Sequence, residues 1–136
     1  MWTAKNTRVS SPARQGIANV IMNRIGTGEW SDYTTASEIC ANTGFNAFGD
    51  KNYYNCMDYL NNRDGSDSYY EQVIQEVMPI YNKEVQDITN GAQLYYTPAA
   101  MDPKGSAPFD WNFDALEEVY IPGVDEYYEA KFYRYK

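Results

Sequence analysis

Histidine is absent from this chain of 136 residues, which removes the commonest general base and metal ligand in proteins. A Ser-His-Asp catalytic triad is therefore excluded. Basic residues are also few, because Lys and Arg number 11 against 19 Asp and Glu, for a net charge of -8. Since nucleic-acid backbones attract positive charge, no nucleic-acid partner is expected.

Cysteine and long apolar runs are scarce as well. A thiolate zinc site needs more ligands than Cys40 and Cys56 supply, so neither a metal nor any other cofactor is expected. The two cysteines fit either a disulfide, as in an exported protein, or two buried free thiols. No apolar run approaches the roughly 18 residues needed to cross a bilayer, so membrane insertion is not expected.

Aromatic residues are abundant, with 14 tyrosines in the chain. A tyrosine combines an apolar ring with a hydroxyl, so it favours positions that are half in contact with water. The length suits one domain over residues 1–136, and no internal repeat or linker divides it.

The clearest predicted helix begins near Ser10, which can cap it, and ends before Gly26. Its apolar residues recur at helical spacing, which indicates a core helix. The remaining pattern predicts short helices over 36–41 and 53–60. It also predicts a helix that Ser68 caps, that carries Met78 on its apolar face and that Pro79 kinks or ends, followed by a further helical piece over 80–88. Strands are predicted over 93–97, 116–121 and 130–135.

An irregular segment, residues 101–112, is predicted to form the rim of a cleft, pinned by Phe109, Trp111 and Phe113. Sugar rings stack on aromatic faces, so tyrosines and tryptophans beside such a cleft indicate carbohydrate binding. The alternative is that these tyrosines pack in the core. The aromatic residues expected near the groove are Tyr53, Tyr54, Tyr95, Tyr96 and Trp111.

Carboxylates are the remaining candidates for chemistry. Cleavage of a glycosidic bond needs a carboxylic acid that stays protonated beside the leaving oxygen. Asp50 follows two phenylalanines and two glycines that could form an apolar pocket and raise its pKa, whereas Glu29 and Glu38 lie in polar stretches. The alternative for Asp50 is an ordinary turn.

Three blocks of the chain together resemble a known family. They are Arg14-Gln15-Gly16-Ile17-Ala18-Asn19-Val20-Ile21-Met22-Asn23-Arg24-Ile25, then Gly44-Phe45-Asn46-Ala47-Phe48, then Asn90-Gly91-Ala92-Gln93-Leu94-Tyr95-Tyr96-Thr97-Pro98. In this order they resemble the cell-wall hydrolases of the spore cortex-lytic type, whose AVANVIMNR segment is similar to residues 17–24.

The resemblance implies a lysozyme-like α+β fold, mainly helical with a small antiparallel sheet or hairpin. It also implies action on the linkages between N-acetylmuramic acid and N-acetylglucosamine in peptidoglycan. The family's general acid is a glutamate on the preceding helix, and here Thr3 or Lys5 takes its place. The glutamate either lies upstream of Met1 in a longer chain, has been replaced, or is missing because the domain binds without cutting.

The leading interpretation is a peptidoglycan-directed glycosidase of the lysozyme or lytic transglycosylase type, secreted or attached to the cell wall and of bacterial or phage origin. Its expected binding residues are Phe45, Asn46, Phe48, Tyr95, Tyr96 and Trp111. The alternative is a non-catalytic module that binds glycan or a protein partner. A third interpretation, an antibacterial toxin domain within a larger parent chain, shares the chemistry of the first.

Overall fold

The computed structural model describes residues 10–43 and 58–136. This part of the chain is α+β, as predicted, with a small antiparallel sheet. Its α-helices are α1 (Ser11–Arg24), α2 (Ala36–Asn42) and α3 (Ser68–Tyr81), and its strands are β1 (Leu94–Tyr96), β2 (Leu116–Val119) and β3 (Lys131–Tyr135). Short 3-10 turns connect them at Gly28–Trp30, Pro98–Ala100 and Phe113–Ala115.

Helix α1 is confirmed and lies at the centre of the described residues. Ser10 caps it, since its side-chain oxygen accepts a hydrogen bond from the backbone N–H of Ala13 at 3.4 Å. Gly26 follows its end at a φ of 68°, a conformation that favours glycine. Polar residues are buried here too, because Arg14, Asn19 and Arg24 are each no more than 7% exposed. A helix covered on several sides is placed inside the fold rather than on its surface.

Helix α3 corrects two predictions about how the helix begins and where it ends. Asp67, not Ser68, caps the helix, because its Oδ1 accepts the backbone N–H groups of Tyr69 and Tyr70 at 3.0 and 3.1 Å. Pro79 does not end the helix, which continues to Tyr81. Proline removes one helical hydrogen bond and crowds the carbonyl four residues earlier, and α3 continues for only two residues beyond it.

The predictions for the chain after Val77 are also corrected. Met78 is 41% exposed, and Ile80 takes the core position instead. Ile80 completes the buried stripe that Tyr70, Val73, Ile74 and Val77 begin at helical spacing. The second helix predicted over 80–88 is wrong, because beyond Tyr81 the chain makes turns and Lys83 adopts a φ of 58°.

The sheet has the strand order β1-β3-β2, and both pairs are antiparallel. Leu94 lies opposite Tyr133 in the first pair, and Glu118 lies opposite Tyr133 in the second. All three predicted strands are confirmed in shorter form. Since side chains alternate between the faces of a strand, Tyr96 and Tyr133 share one face, and Tyr95 and Phe132 share the other.

The sheet and α3 both pack on α1. An added Cβ at Gly16 of α1 would lie only 2.7 Å from the ring of Phe132 in β3, so the two elements are as close as glycine allows. Helix α3 packs through Val73, Val77 and Ile80 against Ala18 of α1. The core is therefore built around α1, with the sheet and α3 as its two partners.

Other predicted elements have mixed outcomes. The helix predicted over 36–41 is α2, with Thr35 as its cap. Of the helix predicted over 53–60, residues 58–60 are helical and the others lie outside the described residues. Cys40 in α2 is a buried free thiol, and burial raises its pKa to about 11. Across residues 10–43 and 58–136, no helix is both long and apolar enough to traverse a bilayer.

Candidate functional site

Most of the predicted site residues belong to parts of the chain that the structure does not describe. Thr3, Lys5, Asp50, Tyr53 and Tyr54 lie outside the described residues. The same holds for the predicted hairpin residues Phe45, Asn46 and Phe48. The structure places Tyr95, Tyr96 and Trp111.

Tyr95 and Tyr96 lie on opposite faces of the sheet. The ring of Tyr95 packs 5.9 Å from that of Phe132, centroid to centroid, within a cluster that includes Val20 and Ile121. Burial raises the pKa of its phenol to about 12. Tyr95 therefore belongs to the packing between sheet and α1.

Tyr96 instead contacts Trp111, as a shared binding surface requires. Their ring centroids are 5.6 Å apart at an angle of 87°. Tyr133 stacks on Tyr96 at 6.0 Å, and Phe113 meets Tyr133 edge to face at 5.4 Å. These four residues, Tyr96, Trp111, Phe113 and Tyr133, are called the aromatic cluster below. Edge-to-face contacts of this kind stabilise a group of rings beyond the area they bury.

The aromatic cluster is partly accessible to solvent. Tyr96, Trp111 and Phe113 are half-buried, whereas Tyr133 is 8% exposed. Burial, and then a hydrogen bond with Tyr96, raise the pKa of the Tyr133 phenol far above its usual range. The Tyr133 hydroxyl therefore remains neutral and can donate or accept hydrogen bonds.

Two charged residues accompany the aromatic cluster on the same face of the sheet. Lys131 lies opposite Tyr96, and Glu118 lies opposite Tyr133. The Lys131 ammonium is 3.2 Å from the Glu118 carboxylate. This arrangement offers rings, phenols and one ion pair to a ligand, which suits a polar molecule with flat apolar faces.

The segment leading into the aromatic cluster partly matches its predicted role as a cleft rim. Residues 101–112 are irregular apart from turns, and Trp111 and Phe113 hold their end against the sheet. The prediction that Phe109 pins this segment is wrong, because Phe109 is 99% exposed.

Five described carboxyl groups have a lowered pKa. Hydrogen bonds from Arg63 and Tyr59 lower the pKa of Glu71 to about 2. Hydrogen bonds from Thr34 and Thr35 lower the pKa of Glu38. The pKa values of Asp64, Glu76 and Asp87 are also lowered. A general acid needs the opposite shift, so these five groups are unsuited to that role.

Two blocks that carry the family resemblance are bound to each other. Arg24 donates from Nε to the carbonyl of Gln93 at 2.7 Å, and Gln93 donates from Nε2 to the carbonyl of Asn23 at 2.8 Å. Asn23 donates from Nδ2 to the carbonyl of Ala92 at 2.9 Å. The end of α1 and the start of β1 are therefore joined by reciprocal hydrogen bonds.

Asp87 extends this junction from the other side. Its carboxylate accepts hydrogen bonds from the Asn23 side chain and from the backbone N–H groups of Thr89 and Gly91. Burial opposes ionisation of Asp87, but these hydrogen bonds outweigh burial and lower its pKa. The loop before β1 is thereby held against the end of α1.

Comparison with family models, with curated proteins and with solved structures finds no match for this chain. Within the described ranges, no group of three or more Cys, His, Asp or Glu side chains is arranged to hold a metal ion.

Tyr133 was not among the site residues predicted from the sequence. Its signal was the alternation Lys131, Tyr133, Tyr135 along β3, which assigns all three to one face. The strand order was needed as well, since β3 lies between β1 and β2 and so brings Tyr133 beside Tyr96.

Proposed function

We propose that this chain is a lysozyme-like domain directed at the glycan strands of peptidoglycan. The observation that carries the proposal is the junction between residues 23–24 and 92–93. These positions belong to two of the blocks that resemble the cell-wall hydrolases. Side chains that bind each other across 69 positions give those blocks a shared structural reason to occur together.

The aromatic cluster supports the glycan as ligand. N-acetylated sugar rings have flat C–H faces that stack on Trp and Tyr, and hydroxyl and amide groups that bond to phenols. Trp111 and Tyr96 are both half-buried, and their rings meet edge to face. The net charge of -8 is no obstacle, because the sugar backbone carries no phosphate.

Catalysis requires a further group in this proposal. Hydrogen bonds favour the ionised form of Glu38, Asp64, Glu71, Glu76 and Asp87, so none of these five suits the general acid of a lysozyme or lytic transglycosylase. Asp50 is the candidate within the chain, and Thr3 stands where the family has its glutamate. Thr3 at the position of the family's glutamate favours the second candidate function, a module that binds glycan without cutting it.

Incubation with purified peptidoglycan separates these functions. Sedimentation with the insoluble wall measures binding, and release of soluble fragments measures cleavage. Fragments with reducing ends indicate hydrolysis, and anhydro ends indicate transglycosylation. If Asp50 is the acid, Asp50→Asn abolishes release while binding persists, and Asp58→Asn, at an exposed acid, changes neither.

Binding without release would identify the non-catalytic module. Absence of both binding and release from a folded protein would refute the proposal that peptidoglycan is the ligand. The proposed location, secreted or wall-associated in a bacterium or phage-infected cell, follows from the ligand.

A further inference from the structure

A groove of about 420 Å³ lies between α1, α3 and the loop at 85–88, apart from the aromatic cluster. This volume is within the usual range for small-ligand sites, about 300–1,000 Å³. The chain contains five glutamines, and four of them line this groove: Gln15, Gln72, Gln75 and Gln86. Only Gln93 lies elsewhere, so the glutamine side chains are concentrated here.

Asn19 adds a buried polar group to the same groove. Asn19 is 5% exposed, and its Nδ2 donates to the backbone carbonyl of Gln15 at 3.0 Å. That bond fixes the orientation of the carboxamide. No described residue donates a hydrogen bond to its Oδ1. A buried acceptor without a partner is costly, so a ligand that donates an N–H here gains affinity.

The backbone of α3 presents a second acceptor in the groove wall. Pro79 has no N–H, so the carbonyl of Gln75, four residues earlier, lacks its regular helical donor. Gln75 and Pro79 both line the groove. The free carboxamides of Gln15, Gln75 and Gln86, which bond to no other described residue, add both donors and acceptors.

The groove is close to electrically neutral. Glu76 is its one charged lining residue, and the guanidinium of Arg14 binds it through two hydrogen bonds of 2.8 and 2.9 Å. The apolar lining consists of Pro79, Ile80, Val85 and Ile88, and it contains no aromatic ring. Small aliphatic surfaces suit methyl-sized side chains better than sugar rings, which stack on aromatic residues.

From these features we propose that the groove between α1 and α3 binds a short extended peptide, the alanine-rich peptide attached to peptidoglycan, with its alanine methyl groups against the aliphatic lining. Peptide N–H groups would be accepted by Asn19 Oδ1 and the Gln75 carbonyl. Peptide carbonyls would accept hydrogen bonds from the glutamine carboxamides. The proposal rests on the proposed function for its source of peptide, and it assigns glycan and peptide to separate surfaces.

Titration of the ¹⁵N-labelled chain of 136 residues with the pentapeptide L-Ala-γ-D-Glu-L-Lys-D-Ala-D-Ala tests this assignment by NMR. We expect shifts at backbone amides of α1 and α3 beside the groove. The double substitution Gln75→Ala and Gln86→Ala removes two exposed carboxamides that make no hydrogen bond to other described residues. It should weaken peptide binding about tenfold with an unchanged fold.

Asn61→Ala is the matched control, because it removes an exposed carboxamide outside the groove that also bonds to no other described residue, and it should leave the affinity unchanged. Asn19→Ala should also lose affinity, with its melting temperature recorded to detect any loss of folding. Absence of shifts at millimolar peptide, or equal weakening by the control, would overturn the proposal.

A second titration with the tetramer of N-acetylglucosamine separates the two proposals. Chemical-shift changes at the aromatic cluster on addition of the tetramer support the proposed function, whether or not the peptide binds. Peptide binding at the groove without tetramer binding would support the groove assignment alone. Chemical-shift changes at the groove on addition of the tetramer would contradict the proposal that the groove binds a peptide.

Discussion

Arg14 is a charged residue in the first turns of the central helix, yet it is buried. Its guanidinium makes a two-point contact with the Glu76 carboxylate of α3. Ser11 and Gln72 also donate to Glu76, at 2.7 and 3.2 Å. Removing one partner from a buried ion pair leaves the other charge without compensation, which costs far more than an exposed pair is worth.

We expect Arg14→Met to lower the free energy of unfolding by about 3 kcal/mol, the low end for buried pairs because Glu76 also borders the groove. Urea unfolding followed by circular dichroism measures the change. Arg63→Met is the matched control, since Arg63 pairs with Glu71 at the exposed surface. Equal losses in the two variants would show that burial of the Arg14 pair adds nothing.

The same pair predicts how stability depends on pH. Burial alone would raise the pKa of Glu76, but hydrogen bonds from Arg14, Ser11 and Gln72 outweigh it and hold the pKa below the ordinary value of 4.5. A carboxyl whose pKa is depressed by folding stabilises the protein above its unfolded pKa. That contribution is lost as the pH falls through the folded pKa.

Glu76→Gln should therefore have a flatter stability profile than the natural sequence below pH 4.5, measured by urea unfolding at a series of pH values. Glu84→Gln, at an exposed acid in the loop after α3, is the control for the loss of one negative charge. Parallel profiles for the natural chain and Glu76→Gln would mean that this carboxyl is not stabilised in the folded state.

At the scale of secondary-structure elements, the contact between α1 and β3 depends on one missing side chain. Glycine inside a helix usually weakens it, so replacement by alanine normally stabilises by up to about 1 kcal/mol. At Gly16 the added methyl would lie 2.7 Å from the Phe132 ring and 3.0 Å from Ile121. Alanine at position 16 would therefore gain helix propensity but clash with the sheet, and the clash has the larger effect on stability.

Gly16→Ala should therefore destabilise the protein by about 1–3 kcal/mol, the usual cost of overpacking a core. Thermal or urea unfolding gives the sign directly. The double variant Gly16→Ala with Phe132→Leu should recover part of the loss, because the smaller side chain makes room for the methyl. A stabilised Gly16→Ala would show that α1 and β3 can separate without cost.

Elements also show where local sequence signals succeed. The cap at Ser10, the glycine at 26 and the apolar spacing between them place α1 correctly, because each acts within a few residues. The failure at 80–88 has a local cause as well. Apolar residues continue past Tyr81, but Lys83 turns the chain and Asp87 binds the loop to α1. The contact between Asp87 and Asn23 joins residues 64 positions apart, so no local sequence pattern predicts it.

For the molecule as a whole, the two neighbouring tyrosines of β1 provide a test of which surface binds glycan. Tyr96→Ala removes a half-buried ring of the aromatic cluster. It should weaken binding to peptidoglycan by about 1 kcal/mol or more. Sedimentation with purified wall at graded protein concentrations measures the change in affinity.

Tyr95→Ala is the control for this comparison, since it lies one residue away on the other face of the sheet. Its ring packs on Phe132, so its loss should appear in the melting temperature rather than in the affinity of the folded protein. The reverse pattern, with Tyr95 needed for affinity and Tyr96 dispensable, would exclude the aromatic cluster as the binding surface.

The sequence by itself determined the α+β class, the position of α1 and the three strands, and the exclusion of histidine chemistry. These depend on composition or on signals that act over a few residues. Only the tertiary structure decided that Tyr96 faces Trp111 while Tyr95 faces the core. It also decided that Arg14 meets Glu76 across 62 positions and that four glutamines share one groove. Such contacts depend on how distant elements pack, and local periodicity carries no record of that.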